Sequence, residues 1–376
     1  MYIPFNNPYL TGREVDYITD AASRGKISGN GYYTKKCHEF LQKRYGFKKC
    51  LLTTSCTDAL EMTAILCDIQ PGDEVIVPSF TFVSTANAFA LRGAKIVFVD
   101  SQDNHPGMDE DKIEELITSR TKVIVPVHYA GIACDMDKIM TIAGKHNLFV
   151  VEDAAQSIDS FYKGAPLGSI GHFGCFSFHE TKNVQCGEGG MLVINDERFF
   201  DRAEIIWQKG TNRSAFCRGE VDKYTWVDIG SSFLPSDVTS AFLYAQLERI
   251  KHIQKKRKEI WERYYNKLKP LEEKGFLHIP VIPHYATNNG HLFYLICRNL
   301  IERTALIEFL EQKEIHTVSH YISLHNSTYC RNRKFGGDKL TNSEKFTDVI
   351  IRLPVYYELL RDDQDYIIKS INNFFM

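Results

Sequence analysis

The sequence predicts an α/β fold built on a mainly parallel seven-stranded sheet, followed by a smaller C-terminal α+β domain. Seven short apolar runs punctuate the first half of the 376-residue chain. Most are continuous rather than alternating, as strands covered on both faces are. Helical stretches lie between several of them, and strand and helix alternating at this pitch form a parallel sheet.

The first run, "CLLTT" (50–54), is followed by helical "TDALEMTAILCD" (57–68). "EVIVP" (74–78) and "KIVFVD" (95–100) are the next two strands. Helical "DEDKIEELITS" (109–119) precedes "KVIVPV" (122–127), and "DMDKIMTIAGKHN" (135–147) precedes "LFVVED" (148–153). "FGCFSF" (173–178) and "MLVIN" (191–195) complete the seven. From Pro235 the texture changes. The stretch "SDVTSAFLYAQLERIKHIQKKRKEIWERYYNKLKPLEE" reads as one long helix, straight or kinked, because its apolar residues keep a helical period. Its "KKRK" (255–258) reads as a solvated face. Short strands "LFYLIC" (292–297) and "IHTV" (315–318) follow, with helices near 303–313, 341–351 and 362–375. The predicted division is a large α/β domain over 1–250 and a small α+β domain over 251–376.

Net charge is −2, which leaves no positive field to hold a nucleic acid. The opening "MYIPFNNPYLTGREVD" lacks a basic region followed by an apolar core, so no signal peptide is expected. No apolar run approaches the roughly 20 residues that span a bilayer. Ten scattered cysteines include no C-x-x-C pair, which predicts reduced cytoplasmic thiols rather than a disulfide frame or a metal site. "NRS" at Asn212 and "NST" at Asn326 match the glycosylation pattern but carry no weight without secretion.

Ligands of a parallel sheet gather at the carboxyl ends of its strands. Ser55, Cys56, Thr57 and Asp58 leave the first strand at a helix start, and "PSFTFVST" (78–85) leaves the second. "HYAG" (128–131) leaves the fourth, and the fifth ends in Glu152 and Asp153, with Gln156 close behind. The sixth ends with Ser177 and reaches Lys182. Hydroxyls and free amides at a helix N-terminus suit a phosphate, although an ordinary N-cap explains the same residues taken alone. Asp153 closes a strand of Leu, Phe and Val, where an ionised carboxylate needs a pyridinium nitrogen, a helix cap or a salt bridge. A lysine near a cation or in a dry pocket becomes a nucleophile toward carbonyls. Lysine, acid and phosphate site together are the parts of a pyridoxal-phosphate pocket. A lone lysine would read as a surface charge; the agreement of four strand exits favours the pocket. Rival motifs fail. "HETKN" starts like the zinc-protease H-E-x-x-H but has Asn183 fifth. The glycines of "KGAPLGSIGHFG" and "GEGG" match no nucleotide motif and read as turns and close approaches beside the pocket.

With "VEDAAQ", "CFSFHETKN", "GEGG" and "PSFTFVSTANAF" upstream, the chain resembles the DegT/DnrJ/EryC1/StrS family of sugar aminotransferases over essentially its whole length. "IQPGDEVI", "VIVPVHYAG", "KGTNRS", "DIGSS" and "HYISLH" extend the likeness. The resemblance implies a fold-type I, aspartate-aminotransferase-like transferase that uses pyridoxal 5'-phosphate and forms a homodimer with shared active sites. It implies that Lys182 carries the cofactor and is catalytic, that Asp153 pairs with the pyridine nitrogen, and that Gln156 lies near the ring's 3-hydroxyl. Phe82 would stack on the ring, and Ser177, Thr57 and the Asp58 amide would bind the phosphate. An asparagine that many members supply from the partner subunit is replaced here by Ser232. "SHYISLH" departs from the usual "HYxPLH" with Ser323 for proline; His320, Tyr321 and His325 would face the sugar nucleotide, or simply pack. Lys209, Arg213, Arg218 and Lys223 are candidate cations for its diphosphate, or a solvated loop. The implied reaction moves the amino group of L-glutamate to dTDP-4-keto-6-deoxyglucose. The alternatives are a 3-ketosugar aminotransferase, a cofactor-dependent dehydratase or lyase, and a non-enzymatic binding protein of the same fold. Relatives that dehydrate the sugar have histidine in place of the lysine, so the retained Lys182 favours amino transfer.

Overall fold

The computed structural model describes residues 2–375 apart from 334 and 336–338. Helices α1 (Glu14–Ser23) and α2 (Tyr32–Tyr45) lead to β1 (Lys49–Thr53) and α3 (Cys56–Leu66). Then come β2 (Glu74–Pro78), α4 (Val83–Ala90), β3 (Lys95–Val99), β4 (Thr121–Ile124), α5 (Met136–His146) and β5 (Phe149–Asp153). A small hairpin, β6 (Phe161–Tyr162) and β7 (Ala165–Pro166), separates β5 from β8 (Phe173–Ser177) and β9 (Gly190–Ile194). The main sheet has seven strands in the order β1-β9-β8-β5-β4-β2-β3. β9 is antiparallel to both its neighbours, and the remaining pairs are parallel.

Period-two alternation sends successive residues of each strand to opposite faces. Leu51, Val75, Val77, Val123, Val151, Phe173 and Cys175 join one apolar cluster with α3, α4 and α6 (Phe200–Trp207), which the short α7 (Arg213–Cys217) follows. Leu52, Met191, Val193 and Phe176 join α2 and a later helix on the other face, while Ile76, Ile124 and Val150 meet α5 there. Both faces being covered is why the runs in the sequence are continuously apolar. Trp207 ties the layers, donating from Nε1 to the Leu52 carbonyl at 2.6 Å.

Two polar devices set the sheet's working edge. Glu152, fully buried, accepts from His128 Nε2 at 3.0 Å and from the amides of Gly168, Ile170 and Gly171 at 2.6–2.7 Å. This fixes the connection from β5 to β8. Gly190 opens β9 where a Cβ would lie 2.3 Å from the Ser55 carbonyl, so glycine is required for the loop before α3 to lie against the sheet. The "GEGG" glycines are therefore close-approach positions in part.

The segment expected as one helix from 236 is two, α8 (Asp237–Glu248) and α9 (Ile250–Glu273), broken at Arg249. The two apolar stripes have different targets. Leu243 and Leu247 pack against the main sheet, whereas Ile260, Trp261, Tyr264, Leu268 and Leu271 pack into a C-terminal cluster. Within "KKRK", Arg257 is buried and donates to the carbonyls of Gly290, His291 and Val355. Burial pushes its guanidinium down to about 10. Residues 109–119 form two 3₁₀ turns instead of a helix, because the buried Glu110 carboxylate turns inward to accept the Asp135 amide and the Gln102 side chain. The C-terminal part carries β10 (Phe293–Ile296), α10 (Leu300–Glu311), α11 (Thr328–Arg333), α12 (Thr341–Val349), β11 (Ile350–Leu353) and α13 (Arg361–Phe375). "IHTV" contributes only single bridges, Ile315 to Ile3 and Val318 to Arg352, and the true partner of β10 is β11. Among the described residues no helix is long and apolar enough to cross a membrane, and all ten cysteines are free.

The start of α2 has no cap of its own. Asp237, buried at the start of α8, accepts from the amides of Tyr33 (3.2 Å) and Thr34 (2.9 Å) and from the Thr34 hydroxyl (2.9 Å). Asp237→Ala is expected to lower stability by about 2–4 kcal/mol in urea unfolding. His38, half-buried, accepts from the Leu52 amide at 2.9 Å, and its desolvation with the nearby Lys49 charge pushes it down to about 4. The unfolded chain binds this proton near 6.5, so the contribution is present above that pH and is lost as pH falls toward 4. Unfolding free energy is expected to decline across that window, by at most about 1.4 kcal/mol per pH unit from this group. A series of urea melts at pH 7, 5.5 and 4.5 measures it, and His38→Gln should flatten the slope.

Candidate active site

A cavity of about 500 Å³ opens at the carboxyl edge of the main sheet. Of the residues singled out in the sequence, Thr57, Phe82, Asp153, Gln156, Ser177, Lys182, His320 and Tyr321 line it. Asp58, Arg213, Ser232 and His325 do not.

Asp153 ends β5 and is 5% exposed. Its Oδ2 accepts from the Thr85 hydroxyl at 2.7 Å and its Oδ1 from the Ala155 amide at 3.1 Å. Thr81, one turn before Thr85 on the same stretch, holds that hydroxyl in turn at 2.9 Å. No cation lies within ion-pair distance of the carboxylate among the described residues. Burial pushes its carboxyl above the ordinary range, against those two hydrogen bonds and the positive field of Lys182. An acid so placed is a receptor for a cationic group of a ligand. Gln156 is oriented by two bonds: the Ala130 amide donates to Oε1 at 2.6 Å, and Nε2 donates to the Tyr321 hydroxyl at 3.2 Å. Phe82, exposed within the cavity mouth, has its ring 6.0 Å from that of Tyr321.

The opposite end suits an anion. Ser55 caps α3, accepting the Asp58 amide at 3.1 Å. Thr57 and Ser84 share a hydrogen bond at 2.8 Å, and Ser177 stands at the end of β8 beside them along the cavity wall. The N-terminus of an eleven-residue helix, with the hydroxyls of Thr57, Ser84 and Ser177 lining the same cavity, suits an anion.

Lys182 lies half-buried in the turn after β8, its amide bonded to the His179 carbonyl at 2.8 Å. No carboxylate lies within ion-pair distance of Nζ among the described residues. Its neighbour Asn183 anchors the turn. Asn183 Nδ2 donates to Gln254 Oε1 (2.8 Å) and to the Asn289 carbonyl (2.9 Å), and its Oδ1 meets His291 Nδ1 at 2.9 Å. The lysine is thus fixed at its base and has no ion-pair partner at its tip among the described residues.

The remaining candidates have other settings. The Asp58 amide is taken by Ser55 and its carboxylate by Thr54. His325 Nδ1 meets Ser79 at 2.6 Å and Nε2 meets Glu344 at 3.1 Å, so its ring is spent on packing the C-terminal part against β2. Arg218 is paired with Glu204 and Glu220. Arg213, Lys209, Lys223 and Ser232 are exposed. The sequence reading did not single out Thr85, His291 or Arg352. Arg352 had a signal, a charge inside the apolar run "VIIRLPV", the same kind that identified Lys182 and Asp153.

An amine, a buried carboxylate without a cation, an aromatic face and a hydroxyl-lined helix N-terminus fit a phosphorylated pyridine aldehyde. Among the described residues no group of His, Cys, Asp or Glu side chains is placed to hold a metal ion. A profile of the DegT/DnrJ/EryC1/StrS aminotransferase family matches residues 8–372. The chain is 32% identical to the uncharacterised protein MJ1066 of Methanocaldococcus jannaschii, covering 98% of this chain and 97% of that protein. It is 31% identical to the spore coat polysaccharide biosynthesis protein SpsC of Bacillus subtilis, covering 99% and 97%. Spr1654 of Streptococcus pneumoniae, assigned as a sugar aminotransferase and solved in its PMP-form, superposes with a TM-score of 0.92 at 28% identity, covering 100% of this chain and 98% of that one.

Proposed function

This chain belongs to the DegT/DnrJ/EryC1/StrS aminotransferase family, and from that premise we propose that it transfers the amino group of L-glutamate to a nucleotide-linked 4-keto-6-deoxyhexose. The specific reaction we propose converts dTDP-4-keto-6-deoxyglucose to dTDP-4-amino-4,6-dideoxygalactose, in the cytoplasm, for surface-glycan synthesis. The observation that carries amino transfer is the meeting of Lys182 and the unpaired buried Asp153 in one cavity with the α3 N-terminus. The choice of a C4 ketosugar rests on the sequence likeness of "KGTNRS", "DKYTW" and "HYISLH". The name of SpsC, a spore coat polysaccharide protein, supports a sugar destined for a surface polymer.

The cofactor is pyridoxal 5'-phosphate, which supplies an aldehyde and an electron-accepting ring. Lys182 Nζ would hold it, and as a free amine would serve as base and then acid for the proton on the donor's α-carbon. Asp153, held in place by Thr85, would keep the pyridine nitrogen protonated. Gln156 would take the ring's 3-hydroxyl, Phe82 would cover one face, and Thr57, Ser177 and the α3 amides would take the phosphate. His320 and Tyr321, which line the cavity, would face the sugar nucleotide, whereas Arg213 lies outside that lining.

Ser232 lies outside its own chain's cavity and is exposed, with the apolar side chains Trp226 (78% exposed), Val227 and Ile229 exposed nearby in sequence. Such a cluster is suited to burial. In the proposed homodimer, Ser232 of the partner subunit completes the phosphate cradle.

Incubation of the holoenzyme with L-glutamate and dTDP-4-keto-6-deoxyglucose is expected to yield 2-oxoglutarate and an amino sugar whose NMR spectrum places nitrogen at C4 with an axial amine. Turnover of only a 3-keto sugar nucleotide would move the assignment to the 3-ketosugar alternative. Lys182→Ala is expected to lower kcat by at least about 10³-fold, and Asp153→Asn by about 10²-fold or more, with circular dichroism unchanged for both.

A further inference from the structure

Glu188 is the second carboxylate among the cavity's described lining residues, and the roles above leave it unused. It stands where the pairing of β8 with β9 runs on past the strands. Ser177 is opposite Gly190 in that register, the Phe178 amide donates to the Gly189 carbonyl at 2.8 Å, and the Glu180 amide donates to the Gly187 carbonyl at 2.9 Å. His179 and Glu188 are therefore cross-strand neighbours at the neck of the loop that carries Lys182. Alternation along β8 puts His179 on the face of Ser177, and both line the cavity. The Thr181 amide donates to His179 Nδ1 at 3.3 Å, so Nε2 carries the ring proton. Nε2 lies 3.7 Å from a Glu188 carboxylate oxygen, too far for a hydrogen bond. That carboxylate has no other ion-pair partner among the described residues.

We propose that His179 and Glu188 form a receptor for a ring hydroxyl of the acceptor sugar, which accepts from His179 Nε2 and donates to the Glu188 carboxylate. This rests on the sugar aminotransferase reading and adds two specificity-determining residues to it. The pair presents one donor and one acceptor side by side. An anion would meet the charge of Glu188, and a cation would meet the Nε2 proton. The group that suits both is neutral and both donates and accepts, as a hydroxyl does. Its oxygen can stand about 2.8 Å from each atom and so bridge the gap between them. A keto oxygen has no proton to give and would leave the carboxylate unanswered, so the pair admits an alcohol and refuses a ketone at that ring position. The amino donor does not compete, because L-glutamate brings carboxylates, which Glu188 repels. The pair lies within one turn of Lys182, whose amide donates to the His179 carbonyl at 2.8 Å. The N-terminal segment meets the same loop: Asn6, another lining residue, donates from Nδ2 to the Glu180 carbonyl at 3.4 Å.

The test uses the holoenzyme with Glu188→Ala, His179→Asn and His179→Gln, each checked by thermal melting. Asparagine can still accept the Thr181 amide but puts nothing at the Nε2 position, whereas the glutamine amide reaches that position and keeps a donor there. The glutamate half-reaction and the return half-reaction with dTDP-4-keto-6-deoxyglucose are followed separately by the absorbance of the bound cofactor. The return step is repeated with the 2-deoxy and 3-deoxy analogues of that sugar. Glu188→Ala and His179→Asn are expected to lower kcat/KM for the full sugar about 10–100-fold, with the glutamate half-reaction changed less than about 3-fold and His179→Gln closer to wild type. One of the two deoxy analogues should cost the wild-type enzyme about the same factor, and cost Glu188→Ala less than about 3-fold. Unchanged sugar kinetics in folded Glu188→Ala, an equal loss in its glutamate half-reaction, or a deoxy penalty that persists undiminished in it would overturn the proposal. A wild-type enzyme that ignores glutamate would instead overturn the aminotransferase reading. Calorimetric titration with dTDP-6-deoxyglucose, which has no ketone to react, still reports on the pair in that case: weaker binding by Glu188→Ala than by wild type supports it, and equal binding or none counts against it.

Discussion

A carboxylate held out of water, with no cation among the described residues to answer it, is the constraint around which this active edge is arranged. Asp153 closes the fifth strand among apolar neighbours, and two hydrogen bonds only partly offset the cost of its charge. The fold tolerates that cost because the sheet is rigid there: Glu152, one residue earlier, is bound on four sides. Neighbouring acids thus have opposite fates. Side chains on a strand alternate between faces, so Glu152 points into the connection it staples and Asp153 into the cavity. The first is satisfied by the protein, and the second is left for a ligand.

The same division recurs at the lysine. Asn183, next to Lys182, is locked to α9 and to the segment 289–291, while Lys182 Nζ has no ion-pair partner among the described residues. Arg257, buried in α9, holds the carbonyls of Gly290, His291 and Val355, so the wall that faces the lysine is tied to the helix that carries the C-terminal cluster. A precise geometry for a reactive amine needs a fixed base more than a fixed tip. Arg352 follows the same logic, with a backbone pinned on both sides and one edge of its guanidinium unspent.

Much of this was legible in the sequence, for definite reasons. The main-sheet strands could be read because covering both faces forces an unbroken apolar run, and their placement differed by at most a few residues at the ends. Lys182 and Asp153 stood out because charges rarely close such runs. What escaped was set by tertiary contacts. The break at Arg249 lies inside one continuous helical period, and only the separate targets of its two halves require it. The segment 109–119 has helical composition, yet the inward turn of Glu110 depends on Asp135, distant in sequence. β11 was absorbed into the preceding helix because "VIIRL" continues an apolar texture without a turn signal. Thr85 is invisible as a site residue, since one threonine in a helix says nothing until the fold brings Asp153 to it. His325, attractive by motif, spends both ring nitrogens on Ser79 and Glu344.

In the proposed mechanism a single amine is the covalent anchor of the cofactor at this edge. Borohydride reduction of the holoenzyme, followed by proteolysis and mass mapping, addresses it directly. One modified peptide is expected, spanning "HETKN", with the pyridoxyl mass on Lys182. A label on any other lysine, or a holoenzyme that yields no label, would contradict it.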